Sequence, residues 1–163
     1  MNIWKTLPIA TFASIEAMME AFKNSGIILS WYAGQLCKKI TQNFALPSGP
    51  VDVSVVTHAD LGITEGTVPI RYVYERALAK GYRLCTPEIG MLARLAYTSK
   101  EQINNPTDMW WIAIAMEPIA VEGKLHILRI AAGTMGSRLN TWEVEKYAPQ
   151  SESRDKWLFV SPK

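Results

Sequence analysis

The chain has 163 residues, 48% of them hydrophobic and 20% charged, and this balance is typical of one compact domain rather than a disordered chain. Seventeen Lys and Arg against fifteen Asp and Glu leave a formal net charge of +2. No run of like charges forms the kind of basic patch that holds nucleic acid, so composition argues against a nucleic-acid partner.

The first residues, MNIWKTLPIATF, lack the basic start and apolar stretch of a secretory signal. The longest uncharged segment with helical character, 24–37, contains Ser, Gln and Gly and is shorter than the ~20 apolar residues that cross a bilayer. We therefore expect a cytoplasmic protein without a membrane span. In that compartment Cys37 and Cys85 are expected to be buried, reduced thiols and not a disulfide.

Helical spacing dominates the N-terminal part of the chain. Four apolar residues recur at the i, i+3, i+4 and i+7 positions of one helix face: Ile15, Met18, Met19 and Phe22. Ser14 or Thr11 can cap this helix, and Gly26 provides its exit. A second helix is predicted over Ser30 to Ile40.

The middle of the chain predicts a strand followed by two helices. Val51, Val53 and Val55 alternate with polar residues after the turn sequence LPSGP, which indicates a strand with one buried face. Thr67 is expected to cap a third helix that carries Pro69 in its first turn. The inner stripe of that helix would be Ile70, Val73, Tyr74 and Ala77, and Gly81 would close it.

The last third changes to a period of two. The stretch WWIAIAMEPIAVEGKLHILRIAAG predicts two strands joined by a turn at Glu122-Gly123. Leu139 to Lys146 and Lys156 to Val160 predict two more. No repeat or linker divides residues 1–163, so we predict a single α+β domain with a helical N-terminal half packed on a mostly antiparallel C-terminal sheet.

Several short stretches, in this order and spacing, resemble a family of small uncharacterised bacterial proteins. They span nearly the whole chain: WKT at Trp4, LGITEGT at Leu61, IRYVYERALAKGYRLC ending at Cys85, EIG at Glu88, ARLAY at Ala93, IAMEPI at Ile114, and KWLFV near the end. Family members carry a more acidic connection after MEPI, where this chain has AVEGKLHILRI. The resemblance implies no activity, catalytic residue or binding residue.

Cys85 offers the sharpest enzymatic hypothesis. A thiol before a helix N-terminus becomes a nucleophile when its thiolate is stabilised, and His58 or His126 could act as its base. The structural interpretation is that Thr86, Pro87 and Glu88 are the cap and first turn of a helix. We favour helix entry, because it accounts for these residues without any chemistry.

Metal and cofactor motifs are missing from the sequence. A structural zinc site needs four Cys or His at short paired spacings, whereas the two Cys and two His lie more than four positions apart. We find no phosphate loop, nucleophile elbow or metalloprotease motif either. No metal and no cofactor is therefore predicted.

Glu117 follows the apolar run IAIAM and precedes Pro118, which limits the strand ladder and places Glu117 near a strand end. If its side chain points inward it needs a partner, which Arg76, Arg94 or Arg129 could supply. A structural ion pair or a solvated edge charge is favoured over a binding role.

Aromatic residues are numerous in the predicted sheet. Adjacent Trp110 and Trp111 point to opposite faces of a strand, so both are buried only if both faces are covered. Trp142 and Trp157 lie in other predicted strands. Exposed aromatics on a sheet indicate protein or ligand contacts, although packing under a helix is the commoner role of any single Trp.

The leading hypothesis is a non-enzymatic cytoplasmic interaction module whose aromatic sheet face or edge contacts a protein partner or a second copy of itself. Its candidate binding residues are Trp110, Trp111, Glu117, Arg129, Trp142, Glu88 and Arg94. The alternative is a small hydrolase or toxin-like enzyme that uses Glu88 and Glu117 with an arginine as acid, base and anion clamp. Nucleic-acid binding is a third hypothesis, weakened by the near-neutral charge.

Overall fold

The structure, a computed structural model, has helices on both faces of a large mixed sheet. It describes residues 3–8, 12–97, 110–132, 136–144 and 150–163, with the backbone alone for Trp110 and Ala132. The α+β class predicted from the sequence agrees with this arrangement.

The helices of the described residues are α1 (Ile15–Asn24), α2 (Trp31–Lys39), α3 (His58–Leu61), α4 (Ile70–Ala79) and α5 (Pro87–Ala96), with a short 3-10 turn at Thr41–Asn43. The strands are β1 (Lys5–Leu7), β2 (Ile28–Leu29), β3 (Val51–Val56), β4 (Thr67–Pro69), β5 (Trp110–Ile114), β6 (Ile119–Val121), β7 (Lys124–Ala132), β8 (Arg138–Glu143), β9 (Gln150–Glu152) and β10 (Trp157–Val160).

Side-chain caps fix three of the predicted helix entries. Ser14, Ser30 and Thr86 each accept a hydrogen bond from the backbone amide three residues later, so an otherwise unpaired amide is satisfied. Of the predicted apolar stripe of α1, Ile15, Met18 and Phe22 are buried and Met19 is partly buried.

The predicted start of the third helix is wrong. Thr67–Pro69 forms the short strand β4, which pairs antiparallel with β9, and α4 begins at Ile70. Pro69 stands before the helix and not within its first turn, because pairing with a distant strand overrides the local helical preference. Residues Ile70, Val73 and Ala77 still form the buried stripe of α4, while Tyr74 is partly buried.

The sheet also differs from the prediction. Among the described residues eight strands form one sheet, with the order β1-β3-β10-β5-β7-β8-β2 and with β6 beside β7. The pairs β10–β5 and β2–β8 are parallel and the other pairs antiparallel, so the sheet is mixed. The N-terminal half is not purely helical, since β1, β2 and β3 belong to this sheet.

One face of the sheet is covered by helices, and the other only in part. On the first face, α5 brings Gly90 against Ile114 and α2 stacks Tyr32 on His126. On the second face, α4 places Tyr74 edge-on against Trp157 and Phe159. Helices α3 and α4 with the β4–β9 ribbon thus cover β3 and β10 on this second face.

The predicted hairpin turn at Glu122-Gly123 is confirmed, with β6 and β7 paired on either side and both turn residues at positive φ. The predicted first strand of this hairpin is split in two, however. β5 and β6 both pair with the same edge of β7, and residues 115–118 bulge out between them. We call this segment the Met116 bulge.

The Tyr74 hydroxyl holds the Met116 bulge. It donates to the Met116 carbonyl at 3.1 Å and accepts from the Met116 amide at 3.2 Å. The Met116 sulfur accepts from the Leu128 amide of β7 at 3.4 Å. These contacts satisfy backbone groups that the sheet ladder leaves unpaired there.

Candidate functional site

Three of the predicted site residues lie together on the second face of the sheet, beyond the part covered by α4. Arg129 of β7 is opposite Ala113 of β5 and Asn140 of β8. Trp111 precedes Ala113 by two residues on β5 and Trp142 follows Asn140 by two residues on β8, and side chains two residues apart share a sheet face. The register therefore places one indole diagonally on either side of Arg129.

We call this surface the Trp–Arg face. All of its members are partly exposed: Trp111, Arg129, Arg138, Asn140 and Trp142. Arg138 is opposite Ala131 on β7 and so is a diagonal neighbour of Arg129. The exposed Ile28 of edge strand β2 extends the surface beside Arg138.

The Trp111 ring carries the Arg129 guanidinium 4.6 Å from its centre, a cation–π contact. Trp142 packs against the buried Trp157 with ring centres 5.7 Å apart. The Trp111 ring thus positions the Arg129 guanidinium, and packing against the core holds the Trp142 ring in place.

Burial lowers the pKa of Arg129, because removing water disfavours the charged guanidinium. The Asp155 carboxylate opposes this effect. It is nevertheless too far away for an ion pair, and it accepts hydrogen bonds from the Glu152 amide at 2.7 Å and from the Ser151 hydroxyl at 3.3 Å.

Sequence reasoning missed Arg138 and Asn140. The predicted strand Leu139–Lys146 begins one residue later than β8, and so leaves Arg138 outside. The alternation of Arg138, Asn140 and Trp142 was the available signal. It could not be assigned to a face without the register against β7.

The other predicted site residues are placed elsewhere. Trp110 lies in β5, and its side chain is outside the described residues. Glu117 is exposed on the Met116 bulge, near a strand end as predicted. Within the described part of the chain Glu117 forms no ion pair with Arg76, Arg94 or Arg129. Of the two structural interpretations, the solvated charge at a strand edge therefore fits and the ion pair with an arginine does not.

Glu88 and Arg94 are buried in α5, which packs on the first face of the sheet. The Glu88 carboxylate accepts a hydrogen bond from the Ala45 amide at 3.3 Å. Arg94 donates to the carbonyls of Ala131 and Tyr97 and lies over the Tyr97 ring. Among the described residues no hydrogen bond or ion pair joins Glu88 to Glu117, or either of them to an arginine.

The thiols are free and buried, as expected. Burial raises the pKa of both Cys37 and Cys85 to about 12, the opposite of what a thiolate nucleophile needs. The Cys85 thiol donates to the Leu158 carbonyl, while His58 bonds to Ser151 and His126 stacks on Tyr32. Together with the Thr86 cap and Pro87 at the start of α5, these contacts favour the helix-entry interpretation of this stretch over a nucleophilic Cys85.

A buried polar cluster links β9 to α3 and β10. His58 Nε2 lies 2.8 Å from Ser151 Oγ, which also accepts from Trp157 Nε1 and bonds to Asp155. The residue types are those of a hydrolase triad, but the connections are not, because the carboxylate bonds to the serine and His58 Nδ1 has no partner among the described residues. Ser151 is fully buried, so the cluster is structural.

A cavity of about 490 Å³ lies between the 45–51 loop, residues 83–84 and the start of α5. It is lined by apolar residues of the 45–51 loop together with Ser48, Thr86 and the exposed cations Arg83 and Lys163. None of the predicted site residues lines it.

Among the described residues no helix has the length and apolar content to cross a membrane. Nor does that part of the chain gather three or more His, Cys, Asp or Glu into a group able to hold a metal ion. Compared with family models, curated proteins and solved structures, the chain gives no match. The resemblance to a family of small bacterial proteins remains a prediction.

Proposed function

We propose that the protein is a non-enzymatic interaction module that binds a protein partner through the Trp–Arg face. The observation that carries the proposal is the meeting of Trp111, Arg129 and Trp142 on one partly exposed sheet surface. Trp and Arg are the residue types most enriched among the energetic centres of protein interfaces. Arg138 and Asn140 add hydrogen-bond donors to the same surface.

Comparison with Trp157 supports this proposal. Trp157 lies on the same sheet face and is completely covered by the α4 side of the structure. Trp111 and Trp142 belong to the same sheet and stay partly exposed. Packing within the domain accounts for the burial of Trp157. It leaves part of the apolar surface of Trp111 and Trp142 exposed, where a partner can cover it.

The competing enzymatic hypothesis receives no comparable support. An acid–base pair must reach one substrate, whereas Glu88 is buried against Ala45 and Glu117 is exposed on the Met116 bulge. Among the described residues no arginine forms an ion pair with either carboxylate.

Site-specific photocrosslinking tests the proposal and does not require an identified partner. A photoreactive amino acid replaces Asn140 at the centre of the Trp–Arg face, and in a control chain it replaces Arg71, an exposed residue of α4. We expect a discrete crosslinked protein from position 140 and not from position 71. Equal crosslinking from both positions, or none from 140, would contradict the proposal.

The purified partner then gives a quantitative test. Trp111→Ala should weaken binding by at least ~2 kcal/mol, roughly thirty-fold in Kd. Trp31→Ala, which removes an exposed indole of α2 outside the face, should leave Kd unchanged. If the crosslinked species is a second copy of this chain and light scattering shows a dimer, the hetero-partner part of the proposal is wrong.

A further inference from the structure

The two guanidiniums of the Trp–Arg face lack acceptors. Among the described residues neither Arg129 nor Arg138 makes an ion pair or a side-chain hydrogen bond, and the Nε atom of each is buried without a partner. A buried donor without an acceptor is costly, and a partly buried cation more so. An acceptor from outside the chain would remove this cost.

Four other arginines each reach an acceptor through at least one nitrogen, although the Nε of Arg76 is also buried without a partner among the described residues. Arg76 donates to the carbonyls of Leu61 and Gly62, and Arg94 donates to two carbonyls of its own surroundings. The exposed Arg71 and Arg154 each form an ion pair with a nearby glutamate. Arg129 and Arg138 differ from these four, because within the described part of the chain no nitrogen of either side chain has an acceptor.

The nearest carboxylate is already engaged. Asp155 is close enough to Arg129 to act on its charge, yet it is buried and bonds to Ser151 and to the Glu152 amide. The Arg129 guanidinium is meanwhile held over the Trp111 ring. A fixed guanidinium loses little freedom when a carboxylate binds it in the two-pronged geometry that Arg favours.

We propose that the segment bound at the Trp–Arg face is an extended acidic peptide with carboxylates at alternate positions; this inference rests on the proposed function. Arg129 and Arg138 are diagonal neighbours across β7 and β8, a relation that sets their Cβ atoms roughly 7 Å apart. Residues i and i+2 of an extended chain are also about 7 Å apart. The spacing matches, and Trp142 and Ile28 flank the pair with apolar area for the intervening side chains.

Charge favours an acidic peptide over a nucleic acid. Nucleic-acid binding depends on many cations that follow a phosphate backbone, whereas this face has two arginines and the chain a net charge of +2. Two carboxylates are sufficient for two guanidiniums.

Fluorescence anisotropy with labelled peptides tests the inference. The probe is a short peptide of alternating glutamate and valine, and its controls are the glutamine–valine peptide and a short oligothymidylate. We expect the glutamate peptide to bind at least about tenfold more tightly than either control and to weaken as salt is raised. Tighter binding of oligothymidylate would overturn the inference in favour of a nucleic acid.

Variants assign the binding to the face. Arg129→Gln and Arg138→Gln should each weaken the glutamate peptide about tenfold or more, and Arg71→Gln should not. Arg138→Lys keeps the positive charge and should retain part of the affinity for the glutamate peptide, which separates loss of recognition from misfolding. Thermal melting checks that every variant is folded. An equal loss in Arg71→Gln, or no peptide binding up to roughly 1 mM, would overturn the inference.

Failure of this inference can be distinguished from failure of the proposed function. If position 140 still crosslinks to a partner while the glutamate peptide fails to bind, the interaction face stands and its acidic occupant is wrong.

Discussion

Replacing Tyr74 by Phe removes a single hydroxyl, and with it both backbone hydrogen bonds of Met116. The amide and the carbonyl of Met116 have no other partner among the described residues, and Met116 is completely buried. A buried backbone group left without a partner costs about 1–3 kcal/mol. With two such groups and some relaxation of the bulge, we expect Tyr74→Phe to lower the free energy of unfolding by roughly 2–4 kcal/mol.

Urea denaturation followed by circular dichroism measures this change. If unfolding loses about 2 kcal/mol per molar urea, the midpoint should fall by roughly 1–2 M. Tyr72→Phe is the matched control, since Tyr72 is partly buried on the same helix and its hydroxyl makes no hydrogen bond among the described residues. A loss of less than about 0.5 kcal/mol for Tyr74→Phe, or an equal loss for Tyr72→Phe, would refute the reasoning.

The same hydroxyl gives a dependence on pH. Burial, aided by the nearby charge of Glu117, raises the pKa of Tyr74 above its ordinary value. Above about pH 10 the unfolded tyrosine loses its proton while the folded one keeps it, so the unfolded state binds fewer protons and stability falls as pH rises. The difference in unfolding free energy between wild type and Tyr74→Phe should therefore shrink by up to ~1.4 kcal/mol per pH unit above pH 10.

Phe22→Ala should lower the free energy of unfolding by about 3–5 kcal/mol, since Phe22 is fully buried in α1, whereas Leu78→Ala at an exposed position should change it by less than about 0.5 kcal/mol. Similar values for the two variants would mean that α1 is not docked. A thiol reagent should label Cys37 and Cys85 slowly in the native protein and rapidly in guanidinium, because both thiols are buried and their pKa values are raised. Fast labelling of Cys85 in the native protein would contradict its burial. Glu117→Gln should leave the melting temperature within about 2 °C of wild type, since this exposed side chain has no ion partner among the described residues, and a larger drop would reveal one.

Sequence patterns identified the elements whose signal is local. The stripe of α1 spans about two helical turns, the caps at Ser14 and Thr86 each involve residues three positions apart, and the Glu122-Gly123 turn depends on two adjacent residues. Each could be predicted because no distant contact competes with it.

Elements that depend on distant pairing were missed or misplaced. β1, β2 and β4 have two or three residues each, too few to show a period, and they form only because a distant strand supplies their partners. The same holds for the site. Trp111, Arg129 and Trp142 could be named from residue type and predicted strands, but Arg138 joins them only through the register of β7 against β8.

The central position of β10 has a consequence for how the chain is made. β10 lies between β3 and β5, and roughly a hundred residues separate β3 from its partner. Pairing over such a distance is slow, because the entropy of closing a long loop must be overcome before the contacts form. During synthesis on the ribosome, the edge of β3 that later pairs with β10 therefore stays unpaired for some time. Strands of neighbouring chains can pair with this edge. Rapid synthesis at high concentration should favour aggregation through this edge, and holding nascent chains apart until β10 has emerged should raise the yield of folded protein.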